Sequence, residues 1–314
     1  MAHYLVTGGA GFIGSNLSHA LVERGERVRV LDNLATGRME NLAELVDHNR
    51  IELQRGDITD GAALARAMEG IDYVLHQAAI PSVPRSIEDP VGGDFANTHG
   101  TVMVLDAARK AKVKRVVYAA SSSAYGDKAE NEAKVETMIP DPISPYAVAK
   151  LAGEQYCRSF YRSYGLETVA LRYFNVFGPR QDPKSQYAAV IPNFVTAALQ
   201  GRPATIFGDG LTSRDFCFIE NVIEANLKAC TAAGAAGEMF NIACGQRTTL
   251  LEVVDVIGEL VGKKIPPVHA PARVGDIKHS LADIGKARRI LGYTAAVSFR
   301  AGVERTVAWY RKTL

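Results

Sequence analysis

The chain is poor in the features that mark the special classes of protein. It has one tryptophan and four cysteines in 314 residues. The cysteines, Cys157, Cys217, Cys230 and Cys244, form no Cys-x-x-Cys pair and no Cys/His cluster with zinc-finger spacing. Zinc modules and disulfide scaffolds are thereby excluded, no metal site is expected, and four reduced, mostly buried thiols in a cytoplasmic protein are. Charge of neither sign dominates: 36 Lys+Arg against 34 Asp+Glu leave +2. That balance offers no electrostatic reason for nucleic acid or an anionic membrane as the main partner. No apolar run approaches the ~18 residues of a membrane span, and the N-terminus lacks a signal-peptide layout. The longest candidate, Thr168–Phe177, carries Arg172. A hydrophobic fraction of 47% excludes disorder. The length predicts about two compact units or one large α/β domain, with core enough to need no staple.

Short apolar runs alternate with helical patterns. His3–Thr7, Val28–Asp32, Ile51–Asp57, Tyr73–Ala79, Arg115–Ser121 and Thr168–Val176 read as strands of a parallel sheet covered on both faces. Phe12–Arg24, Asp60–Met68, Asp94–Ala111 and Pro145–Tyr164 carry apolar residues at helical spacing. The alternation predicts βαβ units and an α/β, Rossmann-type doubly wound parallel sheet. Regularity weakens after Asn175, where Pro179, Pro183, Pro192 and Pro203 interrupt the chain. A strand at Glu238–Ala243 and helices near Leu250–Val261, Asp283–Leu291 and Ala301–Arg311 are expected there. The division predicted is a nucleotide-binding domain over 1–175, with about 216–246 returning to it. A smaller mixed α/β substrate domain takes 176–215 and 247–314.

Thr7-Gly8-Gly9-Ala10-Gly11-Phe12-Ile13-Gly14 lies between the first strand and the first helix. Gly8, Gly11 and Gly14 meet the needs of a dinucleotide turn: a positive φ, close approach to a pyrophosphate, and tight helix–strand packing. Phe12 and Ile13 open the helix, whose free N–H groups face the phosphates. Asp32 ends the second strand, where a ribose diol would lie, and its charge repels a 2′-phosphate, favouring NAD over NADP. Asp57 and Ile58, ending the third strand, would flank the adenine.

Ser144 and Pro145 start a helix on which Tyr146 and Lys150 stand one turn apart. A tyrosine ionises near pH ~10, too high for a base at neutrality. The Lys150 ammonium and the positive end of the helix dipole are expected to lower that value. The fifth strand ends in Ser121-Ser122-Ser123-Ala124-Tyr125-Gly126, where the α/β rule places ligands. A hydroxyl there can share a proton path with Tyr146.

With these segments the chain resembles the extended short-chain dehydrogenases/reductases, specifically the NAD-dependent sugar epimerase/dehydratase group. Further segments carry the resemblance: His76-Gln77-Ala78-Ala79, Leu171-Arg172-Tyr173-Phe174-Asn175-Val176, Ser213-Arg214-Asp215-Phe216 and Arg273–Asp276. Within the group it is most similar to UDP-N-acetylglucosamine and UDP-glucose 4-epimerases, through Ser82-Val83-Pro84-Arg85-Ser86, Phe177–Pro183, Tyr187–Pro192 and His279-Ser280. The resemblance implies that Tyr146 takes the proton of the sugar 4′-OH while C4 gives hydride to tightly bound NAD. The hydride then returns to the other face of the 4-keto sugar. It implies Ser121 as the helper hydroxyl, with Ser122 and Ser123 at the sugar, although the register across the three serines stays open. Lys150 would also bond the nicotinamide ribose. Asn33, Thr36, Gly37, Gln77, Ala78, Ala79, Asn97 and Tyr173 would complete the cofactor site. Ser82, Asn175, Gln181, Ala189, Val190, Arg214, Arg273, Asp276 and Ser280 would line the UDP-sugar.

The dehydratases of the group carry Asp-Glu after the helper hydroxyl, whereas this chain has Ser122 and Ser123. The epimerase reading therefore leads, with a UDP-glucuronate 4-epimerase as the alternative, since serines can bond a carboxylate. Non-catalytic NAD-binding scaffolds of this fold lose the Tyr/Lys pair kept here. Ser280 matches a gate position where a bulky aromatic excludes the N-acetyl group. The resemblance also implies a homodimer through two helices from each subunit, for which Val102, Val104, Leu105 and Phe160 are candidates, with core packing as the alternative the sequence leaves open.

Overall fold

Six strands, β1 (His3–Thr7), β2 (Arg27–Asp32), β3 (Glu52–Arg55), β4 (Tyr73–His76), β5 (Arg115–Ser121) and β6 (Glu167–Tyr173), follow the predicted order with ends shifted by a few residues. The computed structural model describes residues 1–127, 132–183, 190–271 and 278–314. A seventh strand, Glu238–Ile242, joins from late in the chain and pairs with β6. The sheet order is Glu238–Ile242, β6, β5, β4, β1, β2, β3, and every pairing is parallel. This is the doubly wound α/β sheet that the alternation of apolar runs and amphipathic helices predicts. Chain order reverses between β1 and β4, which opens a crevice at their C-terminal ends. Thr7, Asp32, His76 and Ser121 all stand at strand C-termini facing that side.

The helix expected over Asp94–Ala111 is present but opens in a π turn, and a shorter helix runs into it. Pro90–Asp94 and Gly100–Lys110 are α-helical, and Phe95–His99 between them is a π turn. Gly92, Gly93 and Gly100 hold a helix weakly. The buried Asn97 side chain is drawn to Ile80, accepting from its N–H (2.7 Å) and donating to its carbonyl (3.2 Å). A short helix not foreseen, Val83–Glu88, precedes them and is capped by the Ser82 hydroxyl.

The segments after β6 form short pairings: Val176–Phe177 with Cys217–Phe218, Ser213–Arg214 with Thr248–Thr249, and Ala204–Phe207 with Pro267–Ala270. The helix Leu250–Val261 begins in a capping box between Thr249 and Glu252. It packs against Val190–Leu199 and Phe299–Thr313. Helix Val190–Leu199 was hidden by Pro192, which sits in its first turn, where no amide donor is needed. Phe177, Phe216, Phe218 and Phe299 meet ring against ring, with centroids 5.5–6.4 Å apart.

One ion pair lies inside the core. Glu154, one turn beyond Lys150, accepts from Nε and Nη2 of Arg172 on β6, at 2.8 and 2.7 Å. The pair is 1–2% exposed. The Tyr125 ring lies 4.5 Å from the guanidinium carbon, and the Tyr125 hydroxyl donates to Asn241 on the seventh strand (2.7 Å).

The dimer residues expected from the resemblance need correction. Val104 and Leu105 are wholly buried and Phe160 nearly so. They fill the core between helix and sheet rather than an outer face. Large apolar side chains are left exposed on helix Pro145–Tyr164, at Val148, Tyr156, Tyr161 and Tyr164, and on the neighbouring segments, at Ile87, Val91 and Phe95. Among the described residues, no helix is long and apolar enough to cross a membrane.

Candidate active site

The glycine turn is built to leave a cradle empty of side chains. Gly8 has φ +67°, and a Cβ there would lie 2.7 Å from the Ala78 backbone. A Cβ on Gly14 would lie 2.2 Å from the Gly8 carbonyl oxygen. The helix Phe12–Glu23 has Gly11 as its N-cap, with no side-chain cap and no acid in its first turn. Its leading amides and the dipole end therefore suit a diphosphate. The buried Asp32 carboxylate accepts from Ala10 N–H (2.8 Å) and Leu34 N–H (2.7 Å), which hold it at the rim of the crevice. Ionised, it keeps lone pairs for a diol. A Cβ on Gly37 would sit 3.0 Å from those oxygens, so glycine keeps the way to them clear. Asn33 donates to Asp57 (2.6 Å), Thr36 lies on the exposed loop, and Ile58 is buried beside Gly100. These residues fit the adenosine half of NAD.

Ala78 N–H is held by the Thr7 hydroxyl (3.3 Å), and Ala79 follows it into the crevice. Gln77 and Tyr173 bond to each other and to Asn226 at 2.8–3.3 Å, forming a closed polar group under the expected nicotinamide side. His76 is wholly buried, and burial, helped by the Lys150 charge, pushes it down to about 3, so it is neutral. Thr101 donates to the Asn97 carbonyl (2.6 Å) and so accepts from His76 Nε2–H (3.1 Å). Nδ1 then accepts from the Thr7 hydroxyl (2.7 Å). This chain ties the glycine turn to the π turn.

The reacting groups converge at the end of β5. The Ser144 hydroxyl caps helix Pro145–Tyr164, as expected, and the Tyr146 phenol faces Ser121. Ser123 donates its hydroxyl to Ser121 (2.8 Å), while Ser122 stands in the same turn. Lys150 is buried and donates to the Ala119 carbonyl (2.9 Å), 5.0 Å from the Tyr118 ring centroid. Burial pushes its ammonium down to about 8. The expected lowering of Tyr146 is corrected: burial raises the phenol above its ordinary value, and Ser121 opposes that rise without cancelling it. Desolvation outweighs the dipole and the neighbouring lysine.

On the other rim, Ser82 caps Val83–Glu88. Asn175, with φ +29°, donates to the Asp215 carbonyl (3.2 Å). Gln181 donates to Val176 O (3.3 Å), and its buried Oε1 has no partner among the described residues. Arg214 donates to the carbonyls of Ser213 (3.0 Å) and Lys278 (3.1 Å). Ser280 is buried, and its N–H donates to Ser213 O (3.1 Å), which places the expected gate beside the expected phosphate ligand. Val190 begins its helix. Ala189, Arg273 and Asp276 lie outside the described residues.

Against this geometry, the sequence profile of the NAD dependent epimerase/dehydratase family matches residues 4–243. The chain belongs to that family. NAD is the cofactor of the family, and the cradle, Asp32 and Lys150 suit it. This epimerase/dehydratase is 38% identical to a UDP-glucose 4-epimerase of Mycolicibacterium smegmatis, over 98% of each chain. Its structure resembles a UDP-N-acetylglucosamine 4-epimerase from Methanobrevibacter ruminantium in complex with UDP-N-acetylmuramic acid. That likeness has a TM-score of 0.94 and 37% identity, covering 100% of this chain and 99% of the other. It also resembles a UDP-glucuronic acid 4-epimerase from Bacillus cereus in complex with UDP-glucuronic acid and NAD. There the TM-score is 0.91 with 32% identity, over 99% and 100% of the chains.

The structure of this family member adds residues that sequence reasoning missed. Ser86 accepts from Tyr146 N–H (3.1 Å) and donates to Val83 O (2.7 Å), so it seats the first turn of the tyrosine helix. Lys134 is buried and donates to Gly126 O (3.1 Å), bracing the turn beyond the three serines. Ser86 lay within a quoted motif with no role attached, and Lys134 had no sequence signal.

Proposed function

We propose that the protein is an NAD-dependent UDP-sugar 4-epimerase that interconverts UDP-N-acetylglucosamine and UDP-N-acetylgalactosamine, and also UDP-glucose and UDP-galactose. The observation that carries this reading is the Tyr146 phenol facing Ser121 at the C-terminal end of β5, with serines rather than acids at 122 and 123. Tyr146 accepts the 4′-OH proton and returns it, Ser121 orients the phenol, and Lys150 holds the ribose side. NAD held by the glycine cradle, Asp32 and Lys150 would supply a reversible hydride acceptor for C4 and a positive ring that favours the phenolate. Without an acid and base pair beside Ser121, elimination of water at C5 and C6 has no catalyst. Arg214 with Arg273 would hold the diphosphate, and Asn175, Gln181, Ala189, Val190, Asp276 and Ser280 the rest of the nucleotide sugar.

The test is direct. Protein purified without added cofactor is assayed for bound NAD and offered UDP-N-acetylglucosamine, UDP-glucose and UDP-glucuronate separately, with NMR of the products. Inversion at C4 of the first two supports the proposal. Failure to invert any of the three sinks it. Inversion of UDP-glucuronate alone establishes the second reading, which the likeness to the Bacillus cereus enzyme and the serine turn favour. For the gate, Ser280→Tyr should lower kcat/KM for UDP-N-acetylglucosamine by about tenfold or more, while UDP-glucose changes little. Equal losses on the two sugars would remove Ser280 from that role.

The helices Val83–Glu88 and Pro145–Tyr164 and the turn Phe95–His99 pack together, and each leaves large apolar residues exposed. The occupant proposed is a second copy of this chain. Phe95→Glu should convert a dimer to a monomer in light scattering; an unchanged mass would place the contact elsewhere. Its cysteines are free thiols, which fits the cytoplasm.

A further inference from the structure

Asp215 is wholly buried, and the described donors that meet its carboxylate are backbone amides. Oδ1 accepts from Cys244 N–H (2.8 Å), and Oδ2 accepts from Gly245 N–H (2.9 Å) and Ala282 N–H (3.3 Å). The Gln246 amide also acts to lower the carboxyl. The Asp215 carbonyl accepts from the Asn175 side chain. One residue therefore joins four segments: the exit of β6, the strand bearing Arg214, the loop after Glu238–Ile242, and the stretch two residues past Ser280.

We propose that Asp215 is a positioning residue for the nucleotide sugar, holding Arg214, Asn175 and Ser280 in register through backbone amides without touching the substrate. The inference rests on the UDP-sugar reading of those three residues. An ionised carboxylate offers four lone-pair directions to these N–H groups. A protonated acid, or an asparagine, turns a donor toward a shell made of donors and opens it.

Burial raises this carboxyl to about 6, against the pull of the four amides. The folded value lies above the unfolded one. Folded stability from this group is therefore gained as pH falls toward the ordinary carboxylate range, and is lost as pH rises to about 6. The ionised form is thus not there for global stability, and weaker substrate binding near pH 6 would not report unfolding through Asp215. The titratable groups facing it are the Cys217 and Cys244 thiols and the Tyr293 phenol, and Arg214 adjoins it in the chain. Cys217 and Tyr293 are raised well above their ordinary values and stay neutral in this range. Cys244 is lowered through its contact with Cys217, so it needs a control. The esterified diphosphate of a UDP-sugar has no ionisation near pH 6.

The experiment is steady-state kinetics of the purified enzyme with UDP-sugar across pH 5–8. In the wild type, KM should rise as pH falls through about 6 without any fall in the thermal midpoint traceable to Asp215. Cys244→Ser should keep that limb. Asp215→Asn should raise KM at pH 8 by about tenfold, with kcat within about twofold, and should flatten the limb. A folded Asp215→Asn with unchanged KM, or with kcat and kcat/KM falling equally, overturns the proposal. If that variant does not fold, the wild-type limb decides: its absence, or its loss in Cys244→Ser, also overturns it. Absence of any turnover by wild type at pH 8 instead refutes the UDP-sugar reading.

Discussion

Replacing Tyr146 by Phe should lower kcat by about 10²–10⁴-fold, the range of a lost general base. KM should change little, because the ring, the helix start and the Ser144 cap all remain. The phenol is buried and faces the Ser121 hydroxyl, which also accepts from Ser123. Removing the oxygen therefore deletes the group proposed to take the 4′-OH proton, yet leaves Ser121 with a partner. Product NMR with isotope-labelled sugar checks the rate, and calorimetry with UDP-sugar checks that the site still binds. Turnover within a few-fold of wild type would remove Tyr146 from the chemistry. Ser121→Ala should fall between the two, since it orients the phenol rather than accepting the proton.

Replacing Glu154 by Ala should cost about 3–5 kcal/mol of unfolding free energy, as expected when one partner of a buried ion pair is removed. The buried Arg172 guanidinium would remain charged in the core beside Tyr125. Urea unfolding followed by circular dichroism measures the loss. Exchanging both residues for methionine and leucine should recover much of it, because no uncompensated charge remains. A loss below about 1 kcal/mol for the single change would mean that water reaches the pair.

Much of the site was legible because its signals are local. The glycine turn, Asp32 at the end of β2, and the Tyr146–Lys150 spacing each lie within one strand–helix unit, where backbone geometry ties spacing to position. Burial on a two-sided helix was not legible. Val104 and Leu105 face the sheet, while Val91 and Phe95 face outward, and periodicity alone does not say which face is covered. The π turn was hidden because its cause is Asn97 bonding to Ile80, a tertiary contact across 17 residues. The Asp215 hub depends on amides 29 to 67 residues away, and backbone donors carry no sequence signature. The Tyr146 value was misjudged for a related reason. Charge neighbours can be read from spacing, but the depth of burial that opposes them follows only from the assembled fold.

The seventh strand of the sheet also bears on how the molecule is made. Glu238–Ile242 pairs with β6, and Asn241 on it receives the Tyr125 hydroxyl. A ribosome at about 5–20 residues per second would release the first six strands several seconds before this one. During that interval β6 is an unpaired edge, an invitation to pairing with another nascent chain. The last strand to emerge is thus what ends the exposure, and fragments stopped before residue 238 should aggregate even with every residue of the glycine turn and the Tyr146 helix present.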